Sequence, residues 1–176
     1  MLPETFQTER LILRPIAPTD GDAIFEGYAQ DAEVTRFLVW RPHRDRAETE
    51  AYIARCLATP TNEARTYVLT GRDDGRVRGA LDLRWPASHR LEFGYVLARP
   101  WWGQGLMTEA LTEVVRWALA RPGIFRVGAW CDAENIGSAR VMEKAGLIRE
   151  GVARRWWRPP NIEGDPRDCY VYAITR

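Results

Sequence analysis

The feature that most constrains this chain is a junction in its middle. Leu91 to Leu97 reads as a strand, and Arg99-Pro-Trp-Trp-Gly-Gln-Gly-Leu-Met-Thr108 follows it directly. From there the period turns helical: Met107, Leu111, Val114 and Ala118 share one face until Arg121-Pro122-Gly123 ends it. A strand that passes through two closely spaced glycines into an amphipathic helix calls for a layered α/β architecture.

The flanking segments agree. Leu11 to Leu13 is a short first strand ending at Arg14-Pro15. Thr19 with Asp22, and Asp45 with Glu48, look like helix starts. The first would bury Ala23, Ile24 and Gly27-Tyr28, and the second Ala51, Tyr52 and Leu57 before Pro60. Thr66 to Thr70, the Asp73-Asp74-Gly75 turn and Val77 to Trp85 read as a hairpin beside Leu91–Leu97. Phe125 to Cys131 is a strand, and Asn135 opens a short helix through Val141 and Met142 that Gly146 closes. Ile148 to Trp157 and Cys169 to Ile174 are two final strands joined by a loop. The expectation is one α/β domain over residues 1–176, with its core at 8–174. About seven mostly antiparallel strands are flanked by about four helices.

Composition narrows the function classes. The chain has 176 residues, enough to bury roughly 70% of its unfolded surface as one domain. Lys and Arg number 25 against 24 Asp and Glu, which argues against a whole-surface grip on nucleic acid or anionic membrane. No apolar run approaches the roughly 20 residues of a membrane span, and the first residues carry no signal-peptide pattern. Cys56, Cys131 and Cys169 are far apart with no CxxC spacing, so neither a disulfide framework nor a metal site is expected. The reading is a cytoplasmic protein with reduced thiols. Its 8 Trp are a heavy load for the size.

Three elements carry chemistry. Gly103-x-Gly105, at the N-terminus of a helix, is either a tight packed turn or a cradle of N–H groups for a diphosphate. No Lys-Ser/Thr follows it, which disfavours a magnesium-dependent P-loop, and Thr108 breaks the longer dinucleotide fingerprint. Asn135 and Ser138 either cap their helix or present polar groups to a ligand. Glu92, in an otherwise apolar strand, lies either on a solvent face or in a pocket as a base.

In order and spacing these elements resemble the GNAT superfamily of N-acetyltransferases, most nearly its ribosomal-protein N-terminal acetyltransferase-like branch. The matching words are Glu9-Arg10-Leu-Ile-Leu-Arg14, Glu92-Phe-Gly-Tyr95, Trp102-Gly-Gln-Gly-Leu-Met-Thr-Glu-Ala110, Asn135-x-x-Ser138, Glu143-Lys-Ala-Gly-Leu147 and Arg167-Asp-Cys-Tyr-Val-Tyr-Ala173. The resemblance runs from Thr8 to Ile174. It implies acetyl-coenzyme A, or another acyl-coenzyme A, as co-substrate. The pyrophosphate would lie on the amides of Trp102, Gly103, Gln104, Gly105, Leu106 and Met107. The pantetheine arm would run beside Val96 and Leu97, splaying the sheet between this strand and Phe125–Cys131. Asn135 would bond the arm, and Ser138 would protonate the departing thiolate. Where the family often has Gln or Arg, three residues before the first glycine, this chain has Pro100, with Arg99 one place off.

A primary amine must lose a proton before it attacks a thioester. Glu92 is the candidate base, a main-chain N–H near Leu97 the candidate oxyanion donor, and attack is expected to be direct. Cys131 and Cys169 have no partner His and are read as packing; His43 and His89 are expected in solvent. The acceptor, a protein N-terminus or a small amine, is expected among the first helices and the last loop. These carry Asp20, Asp22, Asp31, Glu33, Phe37–Trp40, Glu163 and Asp165. A mixed acidic and aromatic lining would suit a cationic amine. Of the eight Trp, Trp40, Trp85, Trp156 and Trp157 are the candidate acceptor contacts, while Trp117 and Trp130 read as packing. Two rival readings are an inactive coenzyme A-binding interaction module, and nucleic-acid binding through Arg149–Arg158, where arginines flank Trp156-Trp157. An exposed final strand or Trp-rich edge would allow a homodimer.

Overall fold

A computed structural model describes residues 2–176. Eight strands form one sheet in the order β1-β2-β3-β4-β5-β6-β8-β7. They are β1 (Phe6–Gln7), β2 (Leu11–Pro15), β3 (Ala64–Gly71), β4 (Val77–Ala87), β5 (Arg90–Leu97), β6 (Arg126–Asp132), β7 (Ile148–Trp157) and β8 (Arg167–Thr175). The helices are α1 (Gly21–Ile24), α2 (Ala32–Thr35), α3 (Arg46–Ala58), α4 (Leu106–Leu119) and α5 (Ile136–Lys144).

Two short elements exceed the expectation. β1 has two residues, too few for any pattern to register, and pairs with Leu13 and Ile12 of β2. α2 is a single turn capped by Asp31, whose carboxylate accepts from the amides of Glu33 and Val34. α1 also departs from the pattern: its α-helical turn passes into a wider π turn over Phe25–Ala29. The shifted phase buries Ile24, Tyr28 and Ala29 and leaves Ala23 and Gly27 in solvent.

Strand parity divides the interior into two layers. Tyr67, Leu69, Leu81, Leu83, Leu91 and Phe93 face α4, which buries Leu106, Met107, Ala110, Leu111, Val114, Val115 and Ala118 against them. Val68 and Ala80, with Val96 packed beside them, face Ile24, Tyr28, Val34 and Ile53 on the other side.

One pair of strands is parallel. β5 and β6 are joined through α4, and a parallel neighbour needs such a crossover. They pair only at Arg90–Arg126, Leu91–Val127 and Glu92–Gly128. Beyond that point β5 runs on to Leu97 paired with β4 alone, and β6 runs on to Asp132 paired with β8 alone. The sheet therefore splits in the middle, as the family resemblance implied.

Candidate active site

The N-terminus of α4 lies at the end of β5. Gly103 and Gly105 have φ of 73° and 77°, a left-handed conformation that favours glycine, and a Cβ on Gly103 would meet nothing within 4 Å. Gly105 is the N-cap residue and supplies no side-chain cap, so the first-turn amides keep their donors. The helix positive end and these open amides together suit an anion. Leu106 and Met107 are 1% and 3% exposed, so they offer a ligand their main chain only.

Arg10 braces this loop from β2. Its guanidinium donates to the Gln104 carbonyl at 3.0 Å and to Glu109 at 2.7 Å, and its amide donates to Glu109 at 2.8 Å. Burial opposes ionisation of Glu109, but hydrogen bonds from Thr8 and from both donors of Arg10 outweigh it and hold the carboxyl below its usual range. Gln104 donates to the Pro100 carbonyl at 2.9 Å, and the Trp102 indole donates to the Leu97 carbonyl at 2.6 Å. Arg99 turns away from the loop, its Nε bonding Asp31 at 3.0 Å.

A cavity of about 500 Å³ opens at the split. Tyr95, Cys131, Asn135 and Ser138 line it where β5 and β6 part. The Asn135 side chain accepts from the Ser138 amide at 3.1 Å, so it does cap α5. The Tyr95 hydroxyl lies 2.8 Å from Ser138 Oγ. Burial raises the Tyr95 phenol, leaving it protonated at neutral pH. Tyr95 was the residue of the Glu92-Phe-Gly-Tyr95 word that sequence reasoning passed over; by parity it belongs to the core, and only the split exposes it. Burial also pushes the Cys131 thiol up to about 12 and the Cys169 thiol up to about 11, so neither is a ready nucleophile.

The outer part of the cavity lies on the α3 side of the sheet. Glu92 lines it, 3.5 Å from Arg90, on the face opposite buried Leu91 and Phe93. A second carboxylate, Asp82, stands on β4 opposite Gly94, nearer the open part of the split. It bonds Arg84 at 2.6 Å and Thr66 at 3.3 Å. Leu81-Asp82-Leu83 carries the same alternation that marked Glu92, and this was the signal for it.

Phe37, Leu38, Val39 and Trp40 form the wall above. Asn161, in the β7–β8 loop, latches that wall by donating to the carbonyls of Thr35 and Trp40, both at 2.7 Å. His43 is not in solvent as expected: it is half-buried, 2.7 Å from Thr49 Oγ1, with its ring 5.1 Å from Trp40. Burial holds its pKa below the ordinary value; Glu48 and Asp45 oppose this and Arg55 adds to it.

The four candidate tryptophans do not meet. Trp40 lines the cavity, and Trp157 packs 5.5 Å from Trp130, which lines it as well. Trp156 is 61% exposed. Trp85 lines a separate depression with Trp117 and Ile124, because on β4 it shares the parity of Leu81 and Leu83, the face toward α4. The acidic residues of the first helices and last loop also leave the cavity. Asp20 pairs with Arg14, Asp22 with Arg46, Asp31 with Arg99 and Asp165 with Arg155. Of the arginines in Arg149–Arg158, Arg149 lies over Tyr170, Arg154 lies near Asp168 and Arg155 bonds Asp165. Among the described residues no cluster of His, Cys, Asp and Glu could hold a metal, and no helix is long and apolar enough to cross a membrane.

Comparison with known proteins agrees with this architecture. A model of the acetyltransferase (GNAT) domain matches residues 10–148. YoaA of Bacillus subtilis (strain 168), described as an uncharacterized N-acetyltransferase, is 30% identical over 174 residues, 97% of this chain and 96% of that protein. The [ribosomal protein uS5]-alanine N-acetyltransferase of Escherichia coli (strain K12) is 25% identical over 177 residues, 96% of this chain and 89% of that one. Among solved structures, RimL, a ribosomal L7/L12 alpha-N-protein acetyltransferase in complex with coenzyme A, superposes with a TM-score of 0.85. It is 20% identical, covers 98% of each chain and so shares the fold.

Proposed function

This chain belongs to the GNAT acetyltransferase family and is an N-acetyltransferase, and on that premise we propose that residues 1–176 act as one domain that transfers acetyl from acetyl-coenzyme A to a primary amine by direct attack. The observation that carries the reading is an uncapped α4 end, over Gly103 and Gly105, that follows the end of β5 no longer paired with β6 and is tied to it by the Trp102–Leu97 hydrogen bond. The Trp102–Met107 amides hold the pyrophosphate, and Val96, Leu97 and Asn135 flank the arm. The Leu97 carbonyl already accepts from Trp102, so the arm bonds main chain on either side of it. That RimL was solved with coenzyme A supports the same donor here.

At the split, the amine must arrive neutral, since its ordinary pKa keeps it protonated at pH 7. Glu92, with Asp82 two register positions nearer the opening, takes the proton directly or through water. A main-chain N–H near Leu97 faces the developing oxyanion. Ser138 gives its hydroxyl proton to the thiolate while taking one from Tyr95, in contact with Ser138 Oγ, and the phenol regains its proton from water before the next turnover. No covalent enzyme intermediate forms, in keeping with the raised thiol of Cys131. The acceptor, whether protein N-terminus or small amine, enters beneath Phe37–Trp40, with Trp40 and Trp157 on its path and Trp85 and Trp156 outside it.

The test is a thiol-release screen with acetyl- and succinyl-coenzyme A against N-terminal peptides, amino acids, polyamines and aminoglycosides. Amine-dependent release with a matching acetylated product is expected. Tight acetyl-coenzyme A binding without turnover of any amine would replace this reading with that of an inactive binding module.

A further inference from the structure

The carboxylates lining the cavity all have arginine partners, but its arginines do not all have carboxylate partners. Three carboxylates line it, and each is met by an arginine. Asp82 bonds Arg84 at 2.6 Å, Glu92 lies 3.5 Å from Arg90, and Asp132 bonds Arg167 at 3.0 Å. Arg65 directs its guanidinium to the Pro3 carbonyl at 2.9 Å. Arg55, an exposed residue in the last turn of α3, lines the mouth of the cavity, and among the described residues its guanidinium has no ion-pair or hydrogen-bond partner. The wall beside it is aromatic, with Tyr52 one turn back on α3 and Trp40 above, and its charge is near enough to help lower the pKa of His43.

We propose that Arg55 is a specificity-determining residue that selects amine acceptors carrying an anionic group, a carboxylate or a phosphate, on a small molecule with apolar or aromatic character. The inference rests on the acetyl-transfer reading of the same cavity. A guanidinium forms charge-assisted, bidentate hydrogen bonds to carboxylate and phosphate, and it repels a second cation such as a polyamine. This reverses the expectation of a cationic acceptor drawn from the acidic residues of the first helices: Asp20, Asp22 and Asp31 pair with Arg14, Arg46 and Arg99, and neither they nor Glu33 line the cavity.

Matched acceptor pairs provide the test. Initial rates of thiol release from acetyl-coenzyme A are compared for L-phenylalanine and its amide, L-leucine and its amide, O-phosphoethanolamine and ethanolamine, with spermidine as the cationic arm. In at least one pair the anionic member should show about tenfold higher kcat/KM, and which pair responds separates carboxylate from phosphate. Arg55→Gln should bring that ratio to within about twofold by raising KM rather than lowering kcat, and Arg55→Lys should restore part of it. Preference for neutral or cationic members, a panel in which no anionic amine is acetylated, or an Arg55→Gln variant with the ratio intact would each overturn the proposal. Calorimetry with acetyl-coenzyme A separates the two levels. Binding with no anionic preference defeats the Arg55 assignment alone, whereas absence of binding defeats the donor site beneath it.

Discussion

Helices α4 and α5 pack against each other on one side of the sheet, yet their N-termini are finished in opposite ways. α5 is closed by Asn135, whose side chain satisfies the Ser138 amide, and α2 and α3 are closed likewise by Asp31 and Asp45. α4 begins at a left-handed glycine with no cap. The contrast extends along the cavity. The proposed donor end, beyond the cavity's own lining, is main chain held by Gly103, Gly105 and the Arg10 brace, whereas the proposed acceptor end is lined by side chains from Phe37–Trp40, α3 and β4 and latched by Asn161. A backbone cradle recognises what every acyl-coenzyme A shares; a side-chain wall can change its acceptor without changing the fold.

The sharpest way to break this contrast is at Gly105. Gly105→Glu should weaken acetyl-coenzyme A binding by about 100-fold or more in calorimetry, because it strains a left-handed residue and sets a carboxylate against the pyrophosphate. Gly105→Ala, a milder companion, keeps the strain without the charge and should fall between. Wild-type affinity in a folded Gly105→Glu protein would remove the donor site from α4. Next in size, Ser138→Ala should lower kcat by about 30-fold while leaving the acetyl-coenzyme A dissociation constant within about threefold, and Tyr95→Phe added to it should cost little more. Full turnover in Ser138→Ala would end its role as the acid.

Smaller effects separate the two ends. Arg10→Ala should raise the acetyl-coenzyme A dissociation constant about fivefold through the loosened loop and leave the acceptor KM alone. A change confined to the acceptor KM would contradict the brace. Asn161→Ala should do the reverse, sparing donor affinity while trypsin cleaves at Arg36 and Arg41 about threefold faster, because Phe37–Trp40 loses its latch. Unchanged cleavage would mean the wall holds itself. Smallest is a pH effect. His43 has its folded pKa below its unfolded one, so the stability it contributes is complete above about pH 6.5 and fades as pH falls through the folded value. Melting temperatures between pH 7.5 and 5 should fall less for His43→Gln than for the wild type.

The same contrast explains what the sequence disclosed. Helix caps, the hairpin turn and the glycine junction are local, so Asp45, Asp73-Asp74-Gly75 and Gly103-x-Gly105 were readable from a few residues each. The split was readable only through the family resemblance, because loss of pairing between β5 and β6 leaves no mark within either strand. Acceptor-side features depended on distant partners. Asn161 meets Thr35 and Trp40 across more than a hundred positions, and Arg55 matters because of what fails to reach it. Trp85 and Trp40 are alike in sequence, both large and unrequired by the fold, but strand parity turns Trp85 to the α4 face while Trp40 lies in the loop after α2 on the other side. Asp82 shared the signal of Glu92, and sequence parity alone could not say which face either occupied.

If the main-chain end and the side-chain end meet at the split, both must be filled before the acetyl group moves. Initial rates with acetyl-coenzyme A varied at several fixed concentrations of the best acceptor test this most directly. The account predicts double-reciprocal lines that intersect, together with an enzyme that stays unmodified by mass spectrometry after incubation with acetyl-coenzyme A alone. Parallel lines, with an acetyl adduct on Cys131 or another side chain, would contradict it.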